Sequence, residues 1–181
     1  MFSYICKLIT FKIFKFKVKG TFPPNKQLIV LVFPHTSNWD FIIAIGVRKI
    51  LREEINFVIK SEYYNFLTSY FFNNLGGKPI DRSGKKNTVQ NISQMYENHK
   101  LLRIAIAPEG TRKLVDKWKT GFYHIAVNAN CKILPVAFDW KKREITLFKL
   151  FSVTHSLDKD LKSLKSLFKG VEGKIPENSD L

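Results

Sequence analysis

Residues 28–51 read LIVLVFPHTSNWDFIIAIGVRKIL, and the reading of this stretch decides the fold. Its first six residues, 28–33, are apolar without a break, which is strand length and the pattern of a strand covered on both faces. Residues 34–40 carry no period of either kind. Residues 41–51 then return to apolar positions at helical spacing, with Ser37 or Asn38 as the N-cap and Arg48, Lys49 and Arg52 near the end, where cations suit the helix dipole. The unit is a strand, a loop holding one His and one Asp, and a helix.

Outward from this unit the same alternation repeats. Strands are predicted at 56–59, 78–81, 103–107, 132–138 and 144–149, and helices at 62–73, 87–99, 120–128 and 158–168. Alternation at this scale predicts an α/β fold: a single domain over residues 1–181 with a mostly parallel or mixed β-sheet flanked by helices. In open sheets of this kind the ligand crevice lies beyond the carboxyl ends of the strands. The segments 35–40, 81–82 and 109–112 each follow a predicted strand, so they are expected to share one crevice. Residues 170–181 read as a polar tail.

The chain has 181 residues, 45% of them hydrophobic and sixteen of them Phe, with a formal charge of +15 and a pI near 9.8. That apolar content is enough to order the backbone by burial. The charge points to an anionic partner: nucleic acid, an anionic membrane surface or a phosphorylated substrate. Nothing resembles a helix-turn-helix, an aromatic RNA-binding string or a zinc module, so a nucleic-acid-binding module rests on charge alone and no nucleic-acid partner is expected. No run reaches the ~20 apolar residues of a spanning helix. Cys6 and Cys131 have neither metal-ligand spacing nor a CxxC partner, which argues against zinc and a disulfide framework and fits the reducing cytoplasm.

Residues 1–20 mix aromatic and aliphatic side chains with Lys7, Lys12, Lys15, Lys17 and Lys19 and hold no acid. Lysines scattered through the run argue against a cleaved signal peptide. One reading is a membrane-associating segment on an anionic surface. The other is an edge strand, from the alternation over 14–19. Both hold if a short helix precedes a strand. The basic amphipathic helix at 158–168 is open in the same way, lying on a membrane or packing on the sheet.

His35 and Asp40 stand five residues apart. On one helix they would point about 140° from each other, but a strand-to-helix turn lets them meet. A carboxylate on one ring nitrogen sets the tautomer and leaves the other nitrogen to take a proton from a substrate hydroxyl. By itself the pair reads more simply as a structural His bracing a loop. No GxSxG elbow supplies a nucleophile, so direct attack by an acceptor hydroxyl is the chemistry a His-Asp pair would serve here. The second segment is Glu109-Gly110-Thr111-Arg112: Gly110 permits close backbone approach, Thr111 offers a hydroxyl, and Arg112 offers a donor fork suited to phosphate. Among other residues, Trp118, Lys119, Phe122 and Tyr123 fit either an apolar channel wall or the core, and core is the commoner meaning of such spacing.

Taken in order, these segments resemble the glycerolipid acyltransferases of the lysophosphatidic acid acyltransferase type. His35 to Asp40 matches the His-x-x-x-x-Asp block, 77–82 the second block, 109–112 the third and 133–136 the fourth, so the likeness runs over most of the chain. The resemblance implies a glycerol-phosphate acyltransferase-like fold and transfer of a fatty acyl group to a lysophospholipid hydroxyl, as in 1-acylglycerol-3-phosphate. It implies His35 as general base with Asp40 behind it, an acceptor phosphate and glycerol site of Arg82, Glu109, Gly110, Thr111 and Arg112, and Pro135 near the acyl donor. The donor would be acyl-CoA or acyl-carrier protein, with no metal and no prosthetic group, and the protein would be peripheral on the cytoplasmic face of the cell membrane. Backbone amides near His35 are the expected oxyanion donors. Pro34 stands where an Asn often precedes the family's His, and Asn38-Trp39 replaces a smaller, more apolar pair. An alternative that keeps the fold without catalysis is an anionic-lipid-binding protein.

Overall fold

The computed structural model describes residues 1–80 and 88–179. Its centre is β2, Gln27–Phe33, whose side chains divide between the two sides of the sheet. Leu28 and Val30 join one buried cluster with Ile43, Leu134, Val136 and Phe138; Ile29, Leu31 and Phe33 join another with Ile104, Ile133, Phe122 and Phe168. An uninterrupted apolar run is what a strand with cover on both faces requires.

Among the described residues, seven strands form one sheet. Besides β2 they are β1 (Lys17–Lys19), β3 (Asn56–Lys60), β4 (Gly77–Ile80), β5 (Leu102–Ile106), β6 (Lys132–Asp139) and β7 (Glu144–Leu147), in the spatial order β1-β7-β6-β2-β5-β3-β4. From β6 to β4 every pairing is parallel, whereas β7 runs antiparallel to β6 and carries β1 parallel to itself. The sheet is therefore mixed, with a five-stranded parallel body. The helices are α1 (Phe2–Leu8), α2 (Asn38–Leu51), α3 (Phe66–Leu75), α4 (Thr88–Asn98), α5 (Gly121–Asn128) and α6 (Leu157–Leu167).

One helix differs from the sequence expectation. Residues 62–73 are not one helix: a 3₁₀ turn, Ser61–Tyr63, precedes α3, because the Asn65 side chain accepts from the amides of Leu67 and Thr68 and starts a new helix there. At the amino terminus a short helix precedes a strand, as the edge-strand reading of residues 14–19 expects. Helix α1 continues through a π-helical turn, Ile9–Ile13, and then becomes edge strand β1, protected by the Lys19–Glu144 ion pair at 2.6 Å.

The basic helix α6 packs on the sheet, with Leu164 and Phe168 buried and the Phe168 ring against Phe33 and Trp118. Trp118, Phe122 and Tyr123 are core residues in the same cluster. The segment read as a polar tail is fastened down: Trp140 N–H donates to the Glu172 carbonyl at 2.9 Å, and Ile175 N–H donates to Thr36 Oγ1 at 3.2 Å. At Gly173 a Cβ would lie 2.6 Å from Thr36 Oγ1, so only glycine lets this chain pass so near the 34–40 loop.

Candidate active site

Beyond Phe33, a cis Phe33–Pro34 peptide leads into the loop that carries His35. Helix α2 begins at Ser37, whose Oγ accepts from Trp39 N–H at 3.2 Å, and the Asp40 carboxylate closes the capping box by accepting from Ser37 N–H at 2.8 Å. The same Asp40 Oδ2 accepts from Thr36 N–H at 2.8 Å and faces His35 Nδ1 at 3.2 Å. Asp40 is thus both the cap of its own helix and the partner of the imidazole. Its other oxygen, Oδ1, accepts from Trp140 Nε1 at 2.6 Å, and the carboxylate is almost wholly buried.

Strand order brings the third block to this point. Because β5 lies beside β2, the turn after β5 sits next to the loop after β2, and Glu109 Oε1 accepts from His35 N–H at 2.7 Å. Burial pushes the Glu109 carboxyl above its ordinary range, against the opposing hydrogen bond from His35. Its Oε2 is buried without a partner among the described residues. Gly110 adopts φ +63, with the Lys119 side chain packed over it. Thr111 Oγ1 accepts from Lys113 N–H at 3.4 Å. The exposed Arg112 donates through Nη1 to Asn38 Oδ1, which fixes a guanidinium on the loop that bears His35. Arg82 lies outside the described residues.

Pro135 sits in mid-β6, opposite Leu31 of β2. Its neighbours Leu134 and Val136 belong to the cluster under α2, so by strand alternation the proline ring faces the other side of the sheet. The amides near His35 are engaged as well: those of residues 35, 36 and 37 all donate to Glu109 or Asp40. They differ in this from the expected oxyanion donors.

Between α2 and the sheet runs an apolar groove of about 800 Å³. Val30 and Val32, Ala105 and Ala107, and Val136 and Phe138 form its floor, and Phe41, Ile45 and Phe57 line it further round. His35, Asn38, Asp40 and Arg112 stand at one end, and Phe22, Leu51 and Ile55 line it toward the other. The arrangement offers an extended apolar channel with a carboxylate-held imidazole and a cation at its mouth.

Sequence reasoning missed Trp140. No motif marks it, although the register would have: Phe33 pairs with Ala137, so a residue three beyond Ala137 emerges beside the loop that follows Phe33. It missed Lys119 as a second cation by Gly110, and the docking of residues 172–178 behind Thr36.

Fold and site together define an α/β protein with a His-Asp pair at the mouth of an apolar groove. Residues 15–139, well over half of the chain, match the sequence model of the Acyltransferase family, and the chain belongs to that family. It is an acyltransferase. The fold is that of the 1-acyl-sn-glycerophosphate (LPA) acyltransferase PlsC from Thermotoga maritima, whose crystal structure superposes with a TM-score of 0.65 over 91% of this chain and 76% of that one, at 16% identity. No curated protein matches the chain.

Proposed function

We propose that this acyltransferase moves a fatty acyl group from a thioester, acyl-CoA or acyl-carrier protein, to a hydroxyl of a lysophospholipid of the 1-acylglycerol-3-phosphate type. The observation that carries the reading is the His35–Asp40 pair, 3.2 Å apart, at the mouth of a groove that is otherwise apolar. Asp40 faces Nδ1, which leaves Nε2 to take the acceptor's hydroxyl proton while that oxygen attacks the thioester carbonyl. The tetrahedral intermediate then collapses, the C–S bond breaks, and the imidazolium returns its proton to the departing thiolate. No metal or prosthetic group enters these steps.

Arg112, held by Asn38, suits the acceptor's phosphate, with Lys119 beside Gly110 and Thr111 nearby. Glu109 serves by holding the His35 main chain, and Trp140 by holding Asp40. The acyl chain fits the groove, where each buried methylene contributes about 0.8 kcal/mol. The role fits phospholipid biosynthesis on the cytoplasmic face of the cell membrane, with an anionic lipid surface as partner. None of the described helices is long and apolar enough to cross a membrane.

The test is His35→Ala assayed with a lysophosphatidic acid and an acyl thioester. The expected result is a folded protein whose transfer rate is lower by ~10²- to 10⁴-fold, the usual contribution of a positioned base. Wild-type transfer by the folded variant would contradict the assignment.

A further inference from the structure

Helix α3 is unlike the other helices around the sheet. From Tyr63 to Gly77 the chain holds no Asp, Glu, Lys, Arg or His, and the helix is apolar around most of its circumference. A helix of that composition is ordinarily buried. Here only Leu75 is. Phe66 is 94% exposed, Leu67 85% and Tyr70 78%, with Tyr63 and Phe71 exposed beside them. At 150–250 Å² per aromatic side chain these residues present on the order of 700 Å² of mostly apolar surface. Monomeric proteins rarely leave so large a patch uncovered without a use for it.

The patch does not end at α3. The Phe2 ring of α1 meets the Phe71 ring edge-on at 5.3 Å, and α1 buries Cys6 while exposing Tyr4, Ile5 and Leu8. Lysines flank this second part: Lys49 lies 4.4 Å over the Tyr4 ring, and Lys7, Lys12 and Lys15 follow along the chain without an acid among them. The face therefore has an uncharged aromatic sector and a cationic sector side by side. It also reaches the groove. Phe2, Phe41 and Phe57 pack with Leu75 in one cluster, and Phe41, Phe57 and Ile9 line the groove wall.

We infer that α3 is a membrane-insertion element: its Phe66-Leu67-Tyr70 stripe enters the apolar layer of an anionic bilayer, and α1 rests its lysines on the headgroups alongside. Charge selects the bilayer over a second copy of this chain, because stacking two such faces would bring together two molecules of formal charge +15. Amphipathic surfaces with aromatics on one part and lysines on another are what an anionic lipid boundary binds. The inference deepens the membrane placement proposed above, giving the lipid chain a lateral way into the groove past Phe57, and does not depend on which thioester is the donor.

The test compares the wild type with the triple variant F66S/L67S/Y70S and, separately, with K7E/K12E/K15E. Each is sedimented with phosphatidylcholine vesicles made with and without phosphatidylglycerol, and each is assayed in parallel for transfer to a water-soluble short-chain acceptor. The expected result for the triple variant is vesicle partitioning weakened by about 30-fold or more, with soluble transfer within about twofold of wild type, since none of the three residues lines the groove. A Phe66→Trp variant should show fluorescence shifted to the blue by vesicles and quenched by brominated acyl chains. Wild-type partitioning by the triple variant, with binding lost only in the lysine variant, would overturn the inference and leave the acyl-transfer reading standing. A wild-type dimer that the triple variant dissociates would overturn it too, by making the stripe a subunit contact. Soluble transfer absent from the wild type itself would count against the acyl-transfer reading alone.

Discussion

Trp140→Phe isolates one hydrogen bond at the His35–Asp40 pair. The indole N–H is 2.6 Å from Asp40 Oδ1, while Oδ2 already accepts from Thr36 and Ser37 and faces His35. Phenylalanine keeps a ring to meet Phe14 and Phe16, whose centroids lie 5.2 and 5.0 Å from that of Trp140, so packing changes less than hydrogen bonding. What is lost is a donor to a buried carboxylate oxygen, a bond worth about 1.5–3 kcal/mol. Urea denaturation should show a loss of stability of that order. If Asp40 must be held from both sides to orient the imidazole, the same energy appears in the barrier. At about 1.4 kcal/mol per factor of ten, kcat then falls roughly 10- to 100-fold. Trp140 does not line the groove, so KM for the acyl donor and for the acceptor should stay near wild type. A variant that loses the stability yet keeps its kcat would refute the positioning role and leave Trp140 as a fold contact. Raised KM with unchanged kcat would refute it differently, by placing the indole against substrate.

Three other changes probe separate parts of the site. Arg112→Ala should raise KM for a phosphate-bearing acceptor about tenfold or more and leave KM for the thioester unchanged, as steady-state kinetics with each substrate varied would show. Ala105→Phe fills part of the groove floor; excluding about four methylenes at about 0.8 kcal/mol each should cut kcat/KM for long-chain thioesters by roughly 10²-fold and spare short ones. For Glu109 the sign is set by burial. Its carboxyl binds a proton more tightly folded than unfolded, so its contribution to stability is full below the ordinary carboxylate range and diminishes as pH rises toward the raised value. Glu109→Gln has no such group, so denaturation curves should find it gaining on the wild type as pH increases; a variant that instead loses ground with rising pH would show that the carboxylate is stabilised in its charged form.

How legible each feature was depended on how far apart its parts lie in the chain. The βα unit at 28–51 was readable because every signal is local: an apolar run, a cap, helical spacing and a terminal cluster of cations. His35 and Asp40 share a single turn, so their meeting needs only five residues and a strand-to-helix junction. Helix α3 was misread at its start because Asn65, an ordinary polar residue in sequence, acts there as a cap. Residues 170–181 look polar in sequence, yet Gly173 slips against Thr36 and Ile175 bonds it, fastening this part of the segment behind the 34–40 loop.

The chain order of the residues therefore determined the alternation of strands and helices, the His-Asp pair and the cationic character of the protein, since these follow from neighbours within one turn or one strand. Tertiary structure alone decided that Glu109 grips the main chain of His35, that Trp140 reaches Asp40 from a hundred residues away, that Pro135 turns from the groove, and that the aromatic stripe of α3 faces outward. The physical reason is that strand order and register bring together residues with no local preference for each other. A backbone amide, an indole N–H or an exposed phenylalanine carries no mark in sequence of which surface it will meet.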